Sequence, residues 1–278
     1  MTLAALLNNF KKLLHGAIVP LLALALWQTL SVLGYINPQI VPSPVAVMRK
    51  WFEYLAPTEA YTAQSGNYLL WLLSGDLLQD AWSSMSRVIG GFLIGGVLAL
   101  PLGLLMGTNK TIYKLFDPLI QVLRPIPPIA YIPLAILWFG LGNPPAFFLI
   151  SIGSFFPILM NTIAGVQHVD GIYIRAARNL GASQMTMFRR VILPAATPYI
   201  LTGARIGMGT AFIVVIVAEM IAVNNGLGFR ILEAREYLWS DKIIAGMLTI
   251  GFFGLMIDIA MNALNKHLLK WHRGLEHN

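Results

Sequence analysis

Residues 170–198, DGIYIRAARNLGASQMTMFRRVILPAATP, form the stretch that decides the fold. Asp170 has a side chain that commonly caps a helix N-terminus, and residues 172–180 are predicted to form a short helix. Ala176 and Ala177 give this helix a narrow side against which another surface can pack closely. The stretch is polar enough to lie outside a bilayer, so we expect it to be available for docking.

A second helix is predicted to follow after a sharp turn. Gly181 suits the position after a helix C-terminus, where glycine adopts the left-handed conformation at least cost. Ser183 is predicted to cap the next helix, which we expect to end before Pro194. The result is a helix-turn-helix that either receives another protein or, in the simpler interpretation, packs only against its own bundle.

The composition of the whole chain is that of a membrane protein. Of its 278 residues, 57% are hydrophobic and 11% are charged, whereas about 25% are charged in a soluble domain. The net charge of +7 fits a membrane face better than nucleic acid, because no basic run carries interleaved aromatic residues. There is no cysteine, and the five histidines lack metal-binding spacing, so we expect no metal centre and no catalytic residue.

Several apolar stretches are long enough to cross a bilayer, which takes about 20 helical residues. We predict about six transmembrane helices, at residues 17–36, 87–108, 119–141, 146–167, 200–223 and 243–264. The first could be read as a signal peptide, but its cleavage-like Ala23-Leu24-Ala25 lies in mid-run and favours an uncleaved anchor. Close helix packing is predicted where small residues lie one turn apart, at Gly91-x-x-x-Gly95, Gly103-x-x-x-Gly107 and Gly203-x-x-x-Gly207. The fold class is therefore an all-α polytopic membrane protein.

Lysine and arginine are distributed unevenly between the two sides of the membrane, which predicts the orientation. One side carries Lys11, Lys12, Lys110, Lys114, Arg124, Arg175, Arg178, Arg189, Arg190, Lys266, Lys270 and Arg273. The other side carries only Arg49, Lys50, Arg230, Arg235 and Lys242. Both termini are therefore expected to be cytoplasmic.

This orientation divides the chain into segments. The cytoplasmic segments are residues 1–16, 168–198 and 265–278. Residues 37–86 form an extracytoplasmic loop with short helices, and residues 87–264 form a core with five transmembrane helices. Within the loop, Pro44–Leu55 has apolar residues at helical spacing, which predicts either an interfacial helix or one packed on the protein.

The 170–198 stretch resembles the cytoplasmic loop of ABC importer permeases, whose pattern is E-A-A-x3-G-x9-I-x-L-P. Ala176-Ala177, Gly181 and Val191-Ile192-Leu193-Pro194 occupy that register, and Arg175 stands in place of the glutamate. Two more motifs flank the loop: Arg124-Pro125-Ile126-Pro127-Pro128-Ile129-Ala130 leading to Trp138-Phe139-Gly140-Leu141-Gly142, and Gly226-Leu227-Gly228-Phe229. Together they resemble the nitrate, sulfonate and taurine branch of these permeases over about residues 75–272.

The resemblance implies a type I importer permease fold in a bacterial plasma (inner) membrane, within a larger assembly. The loop would be a coupling helix that docks in a groove of one of two cytoplasmic ABC ATPase subunits. The docking residues would be Arg175, Ala176, Ala177, Arg178, Leu180, Gly181 and Ala182. A second permease subunit, expected to be another copy of this chain, and an extracytoplasmic solute-binding protein would complete the assembly. ATP and Mg²⁺ would bind the ATPase subunits, since this chain has no G-x-x-x-x-G-K-[ST] motif and is expected to need no cofactor.

The same resemblance implies a small oxyanion as substrate. The run from Gly226 to Leu238 and the tail residues Lys270-Trp271-His272 look nearest to sulfonate or taurine permeases. Nitrate or bicarbonate is the next alternative, and a thiamine precursor a more distant one. Residues 37–86 and 224–242 would receive the binding protein.

Five ionisable residues lie within or near the predicted spans: Arg87, Arg124, Arg205, Glu219 and Asp258. A charge at membrane depth costs about 2.5–3.5 kcal/mol on insertion scales, so each needs a partner or a role. The arginines are candidates for binding an anionic head group along a translocation pathway, or else for anchoring at the membrane faces. For the two acids, pairing with a neighbouring arginine is favoured over a proton relay.

Three other classes of membrane protein are alternatives. An ion-coupled secondary transporter would usually have more spans or clear internal repeats, and it has no use for an exposed docking helix. A membrane enzyme is disfavoured because no Ser/His/Asp or paired-carboxylate arrangement is visible. A passive channel is the third. Sensitivity of transport to ATPase inhibition separates the importer from all three.

Overall fold

The computed structural model describes residues 3–57, 68, 71 and 74–269, with side chains from residue 18 onward. Every regular element in these ranges is helical, as predicted. The helices are α1 (Leu3–Val32), α2 (Pro44–Leu55), α3 (Asp76–Thr108), α4 (Lys110–Leu123), α5 (Ile132–Phe139), α6 (Asn143–Gln167), α7 (Gly171–Asn179), α8 (Gln184–Met187), α9 (Leu193–Ala222), α10 (Leu227–Glu236) and α11 (Ser240–Leu268). The chain divides into two compact units, Met1–Leu78 with Arg230–Thr249 and Gln79–Phe229 with Ile250–Asn278.

The first unit contains α2, whose bounds agree with the predicted helix. Ser43 caps it, because its hydroxyl oxygen accepts a hydrogen bond from the Ala46 N–H at 3.2 Å. Val47 and Tyr54 are buried, whereas Phe52 is exposed. The helix therefore packs on the protein along one side, and its role as an interfacial helix stays a prediction.

In the second unit, α6 lies between α3 and α9 and packs closely against both. A Cβ atom at Gly91 of α3 would lie 2.6 Å from Ile150 Cβ, and one at Gly203 of α9 would lie 2.6 Å from Asn161 Cβ. The side chains that these contacts bury include Leu159, which is fully buried. The glycine spacings thus have the predicted function of letting helix backbones approach.

Gly95 and Gly96 offer a direct test of this packing. A Cβ at Gly95 would lie 2.3 Å from Ser154 Oγ and 2.5 Å from the Ser151 carbonyl oxygen, whereas one at Gly96 would find only Ile158 Cδ1 at 3.7 Å. We expect Gly95→Ala to lower stability by about 1–3 kcal/mol through overpacking. Gly96→Ala is the matched control and should leave stability unchanged or raise it. Thermal unfolding in detergent measures the difference, and equal midpoints for the two variants would refute the close contact.

Four helical segments within the described ranges are long and apolar enough to cross a membrane: Asp76–Thr108, Asn143–Gln167, Gln184–Ala222 and Ser240–Leu268. A bent pair of helices, Lys110–Leu123 and Pro128–Phe139, makes a fifth candidate. The described apolar part of α1, Ile18–Val32, is shorter than a usual span. The first of the six predicted spans therefore stays a prediction.

The prediction of one continuous helix over 119–141 is wrong. The chain bends by 83° between Lys110–Leu123 and Pro128–Phe139. Pro125, Pro127 and Pro128 cannot donate the backbone hydrogen bonds that a continuous helix requires, so α4 ends and a 3₁₀ turn begins at Pro128. The span is thus broken at the motif that begins at Arg124.

The helix predicted to begin at Arg87 begins at Asp76 instead, so residues 76–86 are not part of a loop. The polar side chains of residues 76–86 are the reason that the sequence predicts a later start for the apolar span. Two of them are satisfied inside the protein: Asp80 accepts a hydrogen bond from the Gly226 N–H, and Ser84 donates to Glu219. The helix continues because its polar face has partners.

The helix that follows Ser183 does not end before Pro194, which corrects the prediction. A π-helical turn, Phe188–Ile192, joins α8 to α9, and the helical path continues to Ala222. Proline is tolerated in the first turn of a helix segment, and Pro194 occupies that position in α9. The wider turn before it lets the short helix after Ser183 run directly into a candidate span.

Some predicted features lie outside the described residues. These are residues 1–2, residues 58–67, 69–70 and 72–73 of the loop predicted to be extracytoplasmic, and residues 270–278 of the tail, which include Lys270, Trp271, His272 and Arg273.

Candidate functional site

Helix α7 has the local structure that the sequence predicts for a docking helix. Its N-terminus is capped by Asp170, whose Oδ1 accepts a hydrogen bond from the Ile172 N–H at 2.8 Å. Its C-terminus is followed by Gly181 with φ +77°, the left-handed conformation expected after a helix. The Gly181 N–H donates to the Arg178 carbonyl and the Ala182 N–H to the Ala177 carbonyl, both at 3.0 Å. The turn is therefore tightly fixed.

Beyond that turn, Ser183 caps the next helical segment. Its Oγ accepts a hydrogen bond from the Thr186 N–H at 3.2 Å. The short α7 contacts the start of the long Gln184–Ala222 segment, and each of the two helical segments has its own N-terminal cap. A force applied to α7 therefore has a direct helical route into the bundle.

Large apolar side chains around α7 remain exposed. Leu180 is 87% exposed, and Ile172, Tyr173 and Met185 are each at least 60% exposed. Nothing in the described part of the chain covers them. Exposed apolar clusters of this kind commonly mark protein interaction sites. This observation argues against a loop that packs only on its own bundle.

The predicted docking residues share this surface. Arg175, Ala176, Arg178, Leu180 and Gly181 are exposed, and Ala177 and Ala182 are half-buried. Within the described ranges the structure shows no ion pair for Arg175 or Arg178. The surface is therefore cationic as well as apolar.

A second cluster of polar residues is buried at the opposite end of the same unit. Arg87 Nη1 donates to Glu219 Oε1 at 2.6 Å, and both side chains are almost completely buried. Ser84 Oγ and the Gly228 N–H donate to Glu219 Oε2 at 2.8 and 2.9 Å. The carboxylate thus receives three hydrogen bonds.

The arginine of this pair is satisfied by two asparagines. Arg87 Nε donates to Asn143 Oδ1 at 2.7 Å, and Nη1 donates to the Asn225 carbonyl at 3.1 Å. A further hydrogen bond joins Arg87 Nη2 to Asn225 Oδ1. The buried charges of Arg87 and Glu219 thus neutralise each other. Pairing with an arginine is the role that the sequence favours for Glu219.

The Gly226-Leu227-Gly228 motif is shaped by this network. Gly226 has φ +103°, and a Cβ there would lie 2.5 Å from the Glu219 carboxylate. The Leu227 N–H donates to Ser84 Oγ at 2.9 Å. Glycine at position 226 therefore lets the loop backbone approach the ion pair.

Sequence reasoning missed three members of the network, Ser84, Asn143 and Asn225. One signal was present: Asp80, Ser84 and Arg87 recur at helical spacing and so lie on one face of α3. The partners of that face, Asn143 and Glu219, lie 56 and 132 residues beyond Arg87 along the chain, and no local pattern connects them.

Arg205 and Asp258 form a different ion pair. Arg205 Nη2 and Nε donate to Asp258 Oδ1 at 2.7 and 3.0 Å, and Asn262 Nδ2 donates to Oδ2 at 3.2 Å. The two charged side chains are 43% and 48% exposed. The structure thus gives Asp258 an arginine partner, as favoured from the sequence, on a surface that stays open.

Arg124, the remaining predicted pathway residue, lines an open cavity of about 360 Å³ with residues of α6 and α9. Of the five predicted pathway residues, the structure therefore joins four in two separate pairs and leaves Arg124 apart.

The sequence pattern of a protein family described as "Binding-protein-dependent transport system inner membrane component" matches residues 99–273. The chain belongs to this family. The matched region contains α7 and four of the five predicted pathway residues, Arg87 being the exception. The resemblance to ABC importer permeases is therefore confirmed.

Relatives agree with this assignment over most of the chain. A putative ABC transporter permease protein of Methanocaldococcus jannaschii is 40% identical, over 95% of this chain and 94% of its own. The taurine transport system permease protein of Escherichia coli is 35% identical, over 90% of this chain and 86% of its own. Permease proteins named for aliphatic sulfonates in Bacillus subtilis and for nitrate in Synechocystis are each 33% identical, over 95% and 89% of this chain and 89% and 86% of theirs.

A solved structure supports the fold. The MetNI methionine ABC transporter, in an inward-facing conformation, superposes with a TM-score of 0.62 at 20% identity. The match covers 70% of this chain and 97% of that one. The type I importer permease fold is thus confirmed.

Proposed function

We propose that this importer permease carries a small oxyanion across the bacterial inner membrane, powered by two ATPase subunits, one of which docks on α7 of this chain. The observation that carries the proposal is the capped helix α7 with exposed Leu180, Ile172 and Tyr173. Beside them lie two arginines to which the described residues offer no ion pair. Such a surface requires an apolar groove with acidic residues on the partner. ATP and Mg²⁺ would bind those partners, and both termini of this chain would lie on their side of the membrane.

The mechanism follows from the connection between α7 and the span. Closure of the ATPase pair would move α7 as a rigid lever, and the helical path through Phe188–Ile192 would pass that motion to α9. The permease would then alternate between inward-facing and outward-facing states. A second copy of the chain would supply the other half of the pathway, and an extracytoplasmic binding protein would deliver the solute.

The names of the relatives support the substrate class. A taurine-like sulfonate is the first choice, since the taurine relative is 35% identical, and nitrate or bicarbonate is the alternative. An ion-coupled secondary transporter is the alternative from another class. It leaves the exposed surface of α7 without a role.

Co-purification tests the assembly. The tagged chain is extracted in mild detergent, the accompanying proteins are identified by mass spectrometry, and ATPase activity is assayed on the eluate. We expect a subunit with a G-x-x-x-x-G-K-[ST] motif and measurable ATP hydrolysis. Leu180→Asp, which places a charge on the apolar surface, should release that subunit. Leu238→Asp, which changes a similarly exposed leucine outside the candidate spans, should retain it. Retention by both variants would show that α7 is not the docking site.

A further inference from the structure

We infer that Arg124 and Asn161 form an anion-binding site in the translocation pathway, and that this site takes the oxyanion head group of the substrate. The inference rests on the proposed function. The cavity that holds these residues is open and has a volume of about 360 Å³, enough for a small solute. Its lining includes Arg124, Pro128, Gly153, Phe156, Asn161 and Thr210.

The position of the cavity fits a binding site for a transported solute. Its α6 lining runs from Ile152 to Asn161, which includes the middle of Asn143–Gln167, and its α9 lining, Ile206 and Thr210, lies near the middle of Leu193–Ala222. The cavity that Arg124 lines therefore lies beside the middle of two spans. Secondary transporters commonly bind substrate near the bilayer midplane, beside broken helices, and the same geometry is available to this permease. Here the break is the proline-rich turn after Arg124.

The charge of the cavity selects an anion. Arg124 is its one charged lining residue, and no Asp or Glu of the described ranges lines it. Arg124 closes α4 with its backbone N–H, which donates to the Ile120 carbonyl at 2.9 Å. Among the described residues the structure shows no hydrogen bond or ion pair for its guanidinium. An arginine so placed offers planar paired donors that match a sulfonate or another oxyanion.

The two ion pairs of the same unit do not compete for this role. Arg87 is fully occupied by Glu219, Asn143 and Asn225, and Arg205 is neutralised by Asp258. Of the three arginines that the sequence offers for an anion, Arg124 is the one whose charge is left available.

Neighbouring groups position a second donor. Asn161 Nδ2 donates one hydrogen bond to the Pro157 carbonyl at 2.8 Å. This bond orients the amide, and the second N–H of Nδ2 can donate to a bound anion. The close approach of Gly203 to Asn161 Cβ fixes the residue against α9. Gly153 has no side chain and so leaves this part of the cavity open. A Cβ there would lie 3.1 Å from Val214 Cγ2, 3.5 Å from Thr210 Cγ2 and 3.6 Å from Pro128 Cγ.

Uptake by the full assembly in proteoliposomes tests this site, with taurine, ethanesulfonate, nitrate and bicarbonate as radiolabelled probes. For the probe that the wild type imports, we expect Arg124→Gln to reduce uptake about tenfold or more, because charge-assisted hydrogen bonds are the strong class. Arg124→Lys should retain part of the uptake. Asn161→Asp, which would bring a negative charge into the cavity and repel anions, should also reduce it.

Lys114→Gln is the matched control, since it removes an exposed cation from the same helix outside the cavity. Basal ATPase activity and gel-filtration elution show that each variant assembles. An unchanged KM and uptake rate in Arg124→Gln would overturn the anion site and leave the proposed function standing. A loss of uptake in Lys114→Gln equal to that in Arg124→Gln would do the same. A wild-type assembly that imports none of the four anions would overturn the proposed function and the site with it.

Discussion

Replacing Gly181 with proline is expected to abolish ATP-driven uptake while the chain still inserts into the membrane. Gly181 has φ +77°, whereas proline fixes φ near −65°, and proline also removes the N–H that donates to the Arg178 carbonyl. The end of α7 must then rearrange, and Leu180 moves with it. A Cβ at this position would meet nothing within 4 Å, so the effect arises from the backbone and not from a clash.

The matched control is Gly181→Asn, because asparagine tolerates the left-handed conformation better than other side chains. We expect it to keep most of the uptake, and Gly181→Ala to lie between the two, with a backbone cost of about 1–2 kcal/mol. A bulky residue at the half-buried Ala177, such as Ala177→Trp, should also uncouple transport. ATP hydrolysis and uptake are measured together in proteoliposomes. Wild-type uptake by Gly181→Pro would show that the docking assignment is wrong.

The second large effect is expected on stability, when Arg87 is replaced by methionine. The change leaves the Glu219 carboxylate buried with Ser84 and the Gly228 N–H as its remaining donors. Removing one partner of a buried ion pair typically costs about 3–5 kcal/mol, because the other charge stays uncompensated. Thermal unfolding of the purified chain in detergent should therefore show a large drop in the midpoint.

Two further variants separate this effect from general loss of charge. The double variant Arg87→Met with Glu219→Gln should recover part of the stability, since glutamine is neutral and retains hydrogen-bonding groups. Lys50→Met removes a cation from the exposed pair with Glu53, where the loss should stay below about 1 kcal/mol. A midpoint for Arg87→Met equal to that of Lys50→Met would contradict the role of the buried network.

Features that depend on neighbouring residues in the chain were predictable from the sequence. Asp170, Gly181 and Ser183 act through hydrogen bonds to residues two or three positions away, so the composition of the turn determines its geometry. The bounds of Pro44–Leu55 agree for the same reason, because Ser43 caps it locally.

Features that depend on distant partners were not predictable. Residues 76–86 look like a polar loop until Glu219 and Gly226 supply partners for Ser84 and Asp80. The continuation past Pro194 depends on a π-helical turn that leaves no sequence signal. The availability of Arg124 likewise emerges only after the other arginines are seen to be paired.

The most direct test of the central claim is the energy source of uptake. The chain is reconstituted with its ATPase subunits in proteoliposomes, the binding protein is added outside, and radiolabelled taurine uptake is measured with and without enclosed ATP. The account predicts uptake that requires both ATP and the binding protein and that continues when ion gradients are collapsed. Uptake driven by a proton or sodium gradient in the absence of ATP would contradict it.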